Sequence, residues 1–85
     1  MKVREVCQIR VETRDGLRAT LGVRGWHSPN GKLAALLNRR YPVRFGYLPP
    51  FSETLTAIRA DGTLRVIAVR HRTVEYPDDA VFGGV

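Results

Sequence analysis

The residues that could carry catalysis or bind a metal ion are few and scattered along the chain. There is one cysteine, Cys7, and there are two histidines, His27 and His71. No Cys or His pair has the spacing of a zinc site, and the glycines follow neither a phosphate-loop nor a dinucleotide-binding pattern. The adjacent acids Asp78 and Asp79 are more typical of a turn than of a catalytic pair. We therefore predict a protein that is not an enzyme and that uses no cofactor and no metal ion.

Positive charge and aromatic rings are concentrated in the middle of the chain. The 85-residue sequence has a formal net charge of +6 at pH 7, although segments 1–15 and 53–85 are each close to neutral. Segment 16–52 contains six basic residues, no acidic residue and five of the seven aromatic residues. From this segment we select as candidate binding residues Arg24, Trp26, Lys32, Arg39, Arg40, Arg44 and Tyr47.

Cations interleaved with aromatic rings suit a nucleic acid, because cations neutralise phosphates while the rings stack on bases. We therefore predict a small basic nucleic-acid-binding module that contacts mainly the phosphate backbone, with aromatic stacking in support. The alternative is a non-enzymatic interaction or assembly factor, for example a phage-encoded accessory protein, that docks on an acidic protein surface. In a third interpretation the rings form the core and the cations are only a solvated face.

Length and terminal composition limit the organisation of the protein. We expect one globular domain over residues 1–76 and a C-terminal tail over residues 77–85. A single core of this size contributes only ~3–5 kcal/mol, so a homo-oligomer or a larger partner would add needed stability. The chain begins without the apolar stretch of a signal peptide, and no apolar run approaches the ~20 residues of a membrane span. These features predict a cytoplasmic protein without a membrane partner.

Alternating apolar and polar residues predict a first β-hairpin around Asp15-Gly16. A two-residue loop would place apolar residues opposite polar ones, whereas a three-residue loop with a left-handed Gly16 keeps the apolar residues on one face. The pairs expected from the longer loop are Val11 with Ala19, Ile9 with Leu21, and Cys7 with Val23.

A short helix is predicted from Pro29 or Lys32 to Arg40 or Tyr41. Ser28 is suited to be its N-cap, and Pro42 cannot continue a helix. The apolar stripe that this helix should bury consists of Leu33, Leu36, Leu37 and Tyr41.

A second hairpin is predicted from residues 54–59 and 64–75, joined at Asp61-Gly62. Its last strand is apolar on both faces over residues 64–69, which favours a central or bent strand. Together the elements predict an α+β domain of order ββαββ. Its two antiparallel hairpins would form a four- or five-stranded curved sheet or partial barrel, with one short helix.

Overall fold

The computed structural model describes residues 1–43 and 49–77. Within these residues three strands are followed by two helices and a fourth strand. The elements are β1 (Lys2–Glu12), β2 (Arg18–Gly22), β3 (Gly25–His27), α1 (Gly31–Arg40), α2 (Ser52–Asp61) and β4 (Arg65–Glu75). The strands form an open antiparallel sheet in the order β3-β2-β1-β4. The predicted α+β class is confirmed, but the order ββαββ is wrong, since two helices are present. Of the predicted tail, residues 78–85 lie outside the described residues.

The first hairpin has the predicted loop. Thr13 N donates to Leu17 O at 2.8 Å, and Gly16, with a φ of +85°, donates to Thr13 O at 3.1 Å. Residues 14–16 therefore form the three-residue loop. The confirmed cross-strand pairs are Ile9 with Leu21 and Val11 with Ala19, and all four side chains are buried.

The third expected pair of that hairpin, Cys7 with Val23, does not form. Strand β2 ends at Gly22, and the register of β1 shifts between Val6 and Gln8. An irregularity in the alternation at Glu5 and Val6 was visible in the sequence, and both residues are buried. Because of this register shift, the alternation of inward and outward side chains seen near Val11 does not continue to the start of β1.

Helix α1 lies where it was predicted, but Asn30 is its N-cap. The Asn30 Oδ1 atom accepts a hydrogen bond from Leu33 N at 3.0 Å. Ser28 lies two residues earlier, where its Oγ accepts from Asn30 N at 3.1 Å and donates to Arg18 O at 2.6 Å. Leu33 and Leu37 face the core, whereas Leu36 of the predicted stripe remains 43% exposed.

Residues 54–59, predicted to be a strand, belong instead to helix α2. Leu55 and Ile58, three residues apart, are both buried. Gly62 has a φ of +74° and donates its N–H to Ile58 O at 3.2 Å, which ends the helix. The Asp61-Gly62 pair is thus a helix C-terminus, because a left-handed glycine suits both a helix end and a hairpin turn.

Strand β4 lies at the edge of the sheet and pairs with β1, so the predicted central position is wrong. A register shift opposite Arg10 and Val11 leaves Ile67 without a partner residue in β1. This bulge lets Val66 and Val69, three residues apart, both pack against the core. The apolar run 64–69 therefore reflects a bulged edge strand.

The core lies between one face of the sheet and the two helices. Its buried apolar residues are Val6, Ile9, Val11, Ala19, Leu21, Trp26, Leu33, Leu37, Phe51, Leu55 and Ile58. Gln8, Arg10 and Glu12 alternate with Ile9 and Val11 and therefore project from the opposite face of β1. No described helix covers this opposite face.

Truncation of Ile58 tests whether α2 is a packed helix. Because its side chain is fully buried, we expect Ile58→Ala to lower the free energy of unfolding by about 2–4 kcal/mol in urea denaturation. The matched control is Ile67→Ala at a 36% exposed position, with an expected loss below about 1 kcal/mol. Equal losses in the two variants would contradict the packing of α2 against the sheet.

Candidate functional site

An open groove of about 540 Å³ runs along strands β1 and β4. Its lining consists of Arg4, Gln8, Arg10, Ala68, Val69, Arg70, His71, Arg72 and Thr73. The two strands come from opposite ends of the sequence, and their antiparallel pairing creates the groove.

The side chains at the centre of the groove project from the sheet face that the helices leave free. Gln8 lies opposite Arg70, and Arg10 lies opposite Ala68. Since directly opposed residues share a face, Arg10 and Arg70 are diagonal neighbours on the outer surface. Each is exposed. Two guanidinium groups from different ends of the chain are therefore held on one surface.

The groove carries uncompensated positive charge. Among the described residues that line it, four are arginines and none is acidic. Arg72 has a carboxylate partner, with its Nη2 atom 3.4 Å from Glu5 Oε2. No carboxylate in residues 1–43 and 49–77 lies within 4.0 Å of Arg4, Arg10 or Arg70. These three guanidinium groups are thus available to an external anion.

At one end of the sheet, Glu12 is held by two arginines from the neighbouring strands. Arg18 Nε lies 3.1 Å from Glu12 Oε2, and Arg65 Nη2 lies 2.6 Å from Glu12 Oε1. The hydrogen bond from Arg18, followed by that from Arg65, lowers the pKa of Glu12 below its ordinary value. This carboxylate therefore compensates Arg18 and Arg65 and does not pair with Arg4, Arg10 or Arg70 of the groove.

At the other end, Glu5 is buried and similarly occupied. It accepts hydrogen bonds from Tyr76 Oη and from Arg72 Nη2. The bond to Glu5 is the main cause that raises the pKa of the Tyr76 hydroxyl. The two acidic residues of β1, Glu5 and Glu12, thus bind other groups, and neither pairs with Arg4, Arg10 or Arg70.

The sequence-predicted binding residue Trp26 lies in the core with 2% exposure. Its backbone N–H donates to Asn38 Oδ1 at 3.0 Å, and its Nε1 donates to Tyr41 O at 3.1 Å. The nearby Gly25 has a φ of +91°, and a Cβ at that position would lie 2.7 Å from Asn38 Oδ1. The ring is held between β3 and α1, where no base could stack on it.

The other predicted cations do not line the groove. Arg24, in the turn after β2, and Lys32 and Arg39, on α1, are exposed. Arg40 forms an ion pair with Asp61 at 2.6 Å. The remaining two predicted binding residues, Arg44 and Tyr47, lie outside the described residues. The structure therefore separates the exposed cations of the middle segment from the arginine groove.

The described lining of the groove is suited to bind anions. It contains one histidine, His71, and no cysteine, serine or carboxylate. No three His, Cys, Asp or Glu side chains come together as metal ligands within residues 1–43 and 49–77. Neither α1 nor α2 has the length and apolar character needed to cross a bilayer. No protein-family model, curated protein or solved structure matches the chain.

The groove was missed because its residues are distant in the sequence. The apolar–polar alternation around Arg10 indicated that its side chain points away from the core. Arg70 and Arg72 are two residues apart, which is the spacing of side chains on one face of a strand. What the sequence did not reveal is that β1 pairs with β4. The charge balance of each terminal segment hid the excess, since Glu5 and Glu12 lie within two residues of Arg4 and Arg10 along the chain but bind other groups.

The arginine bridge at Glu12 should make stability depend on pH. Because the folded-state pKa is lowered, the stabilisation is fully present above the pKa of the unfolded chain, about 4.3, and is lost as the pH falls through the folded-state value. We expect Glu12→Gln to be less stable than the original protein at pH 7 in urea denaturation, with the difference shrinking as the pH falls through the folded-state pKa of Glu12. The control Glu53→Gln alters an exposed glutamate without an ion pair to a described cation and should have a smaller effect at pH 7. The bridge would be contradicted if the difference in unfolding free energy between Glu12→Gln and the original protein stayed constant with pH.

Proposed function

We propose that this protein is a small basic nucleic-acid-binding module that contacts the phosphate backbone through the groove between β1 and β4. The observation that supports the proposal is the set of four arginines in a groove whose described lining has no acidic residue. The like charges of the diagonal neighbours Arg10 and Arg70 repel each other, and no described carboxylate offsets this repulsion. A bound polyanion would remove that repulsion.

The chemistry of the lining favours phosphate as the group recognised. A guanidinium presents a planar set of donors that matches two phosphate oxygens, and it stays charged at every physiological pH. Gln8 and Thr73 add neutral donors beside the arginines, and such side chains commonly contact phosphates. The arrangement can therefore hold consecutive phosphates.

Nucleic acid is a better partner for this groove than an acidic protein surface. Protein interfaces are usually anchored by clustered apolar and aromatic side chains. In residues 1–43 and 49–77, the large exposed apolar residues come from four separate places in the sequence, namely Met1, Val23, Leu36 and Ile67. None of these four residues lines the groove.

Two charge-reversed double variants with the same net charge test the location of binding. We expect Arg10→Glu/Arg70→Glu to lower affinity for a fluorescent DNA about 100-fold at moderate salt, and to reduce the magnitude of the salt slope by about 1 to 2, because two cationic groups that face the polyanion are lost. Arg24→Glu/Arg39→Glu, on the turn and α1, should change affinity much less. Fluorescence anisotropy over a range of KCl concentrations measures both quantities, and circular dichroism confirms that each variant is folded.

The opposite ranking would contradict the groove as the interface. If only Arg24→Glu/Arg39→Glu lost affinity, binding would lie on the surface chosen from the sequence. The acidic-protein alternative is tested by pull-down from lysate with and without nuclease. A protein partner that survives nuclease and is lost with Arg10→Glu/Arg70→Glu, together with no affinity for purified DNA or RNA, would overturn the nucleic-acid proposal.

A further inference from the structure

Part of the groove lies on a two-stranded ribbon that extends beyond the four-stranded part of the sheet. Strand β2 pairs with β1 only from Ile9 to Glu12, whereas β4 pairs with β1 as far as Lys2. Residues 2–8 and 70–75 therefore form a ribbon of about 23 Å at ~3.3 Å per residue. The protein is correspondingly elongated, with extents of 46 × 22 × 21 Å. Along the edge of β1 that β2 leaves uncovered in the ribbon, Phe51 N donates to Val6 O at 3.0 Å. Residues 49–52 thus contact this edge, but they do not line the groove.

The size of such a ribbon suits one form of nucleic acid in particular. The major groove of B-form DNA is about 12 Å wide and admits a two-stranded β-ribbon. The corresponding groove of A-form RNA is deep and too narrow for side chains to read. The ribbon can therefore approach the bases of a DNA duplex but not those of an RNA duplex.

The last residue pair of the ribbon, next to the four-stranded part of the sheet, has side chains of the types that bind base edges. Gln8 lies opposite Arg70 on the outer face. Arginine forms two hydrogen bonds with guanine O6 and N7, and glutamine forms two with adenine N6 and N7, all in the major groove. Arg10 lies beside this pair and, because no carboxylate of the described residues is within 4.0 Å of it, can contact a flanking phosphate.

The described surface has no aromatic platform for a single strand. Binding of single-stranded nucleic acid depends on bases that stack on exposed rings. Trp26 and Phe51 are buried, Tyr41 is half-buried and donates to Asp61 at 2.6 Å, and Tyr76 donates to Glu5. None of the described groove residues is Phe, Tyr or Trp. A duplex, whose bases stack on one another, needs no such platform.

We infer that the partner is B-form DNA, whose major groove receives the β1–β4 ribbon with Gln8 and Arg70 at the base edges. This inference rests on the proposed nucleic-acid function. It adds the type of nucleic acid, the groove that is entered and the two side chains that read it.

The choice of duplex is tested with three probes of one mixed sequence: a 30-base-pair DNA duplex, its single strand and the RNA duplex. Anisotropy with the full chain should show at least about tenfold tighter binding to the DNA duplex than to the other two. Equal or tighter binding to the single strand or to RNA, still lost with Arg10→Glu/Arg70→Glu, would overturn this inference and leave the proposed function standing. No binding to any probe would overturn the proposed function itself.

The groove that is entered is tested with a duplex in which 7-deazapurines replace the purines and so remove the N7 acceptors. We expect this duplex to bind the original protein about tenfold more weakly, because the contacts of Arg70 and Gln8 each lose the hydrogen bond to N7. Gln8→Ala/Arg70→Ala should bind both duplexes alike, whereas the control Thr20→Ala, on the same face but outside the groove, should keep the tenfold difference. Unchanged affinity of the original protein for the substituted duplex would exclude major-groove reading.

Discussion

The antiparallel pairing of β1 with β4 is the interaction on which the rest of the structure depends. It joins ten residue pairs from opposite ends of the chain. It continues past the strands, where the Met1 amino group donates to Tyr76 O and Tyr76 N donates to Met1 O, both at 2.7 Å. Because β4 occupies one edge of β1 and β2 the other, Ile9 and Val11 lie in the middle of a sheet and are fully buried. The helices can then pack on that apolar face.

The same pairing determines the distribution of charge. It places Arg10 beside Arg70 on the uncovered face, and it gives Glu12 two arginine partners at the turn end. Glu5 is buried at the other end with Tyr76. Each terminal segment is nearly neutral along the sequence, yet its acids and its unpaired arginines are separated in space. The proposed interface thus arises from segments that looked balanced, and the ribbon that carries it exists because β1 and β4 are longer than β2.

Local features were predictable where a single physical signal governed them. The first hairpin follows from alternation and from a left-handed Gly16, which together allow one register. The position of α1 follows from its apolar spacing and from Pro42. The second hairpin was wrong because residues 54–59 alternate like a strand, while Leu55 and Ile58 also have helical spacing. The strand and helix periods can be told apart only by the core, against which Leu55 and Ile58 both pack. Trp26 was ambiguous for a similar reason, since an aromatic ring can fill a core or bind a base.

The sequence by itself therefore determined the α+β class, the register of the first hairpin, the place of α1 and the net positive charge. These properties depend on neighbours within about ten residues, whose spacing and turn chemistry can be recognised directly. The tertiary structure alone decided that α2 is a helix, that β4 pairs with β1, and that Arg10 and Arg70 share a groove. Those outcomes depend on contacts between residues about sixty positions apart, and alternation within one strand carries no information about which distant strand it will pair with.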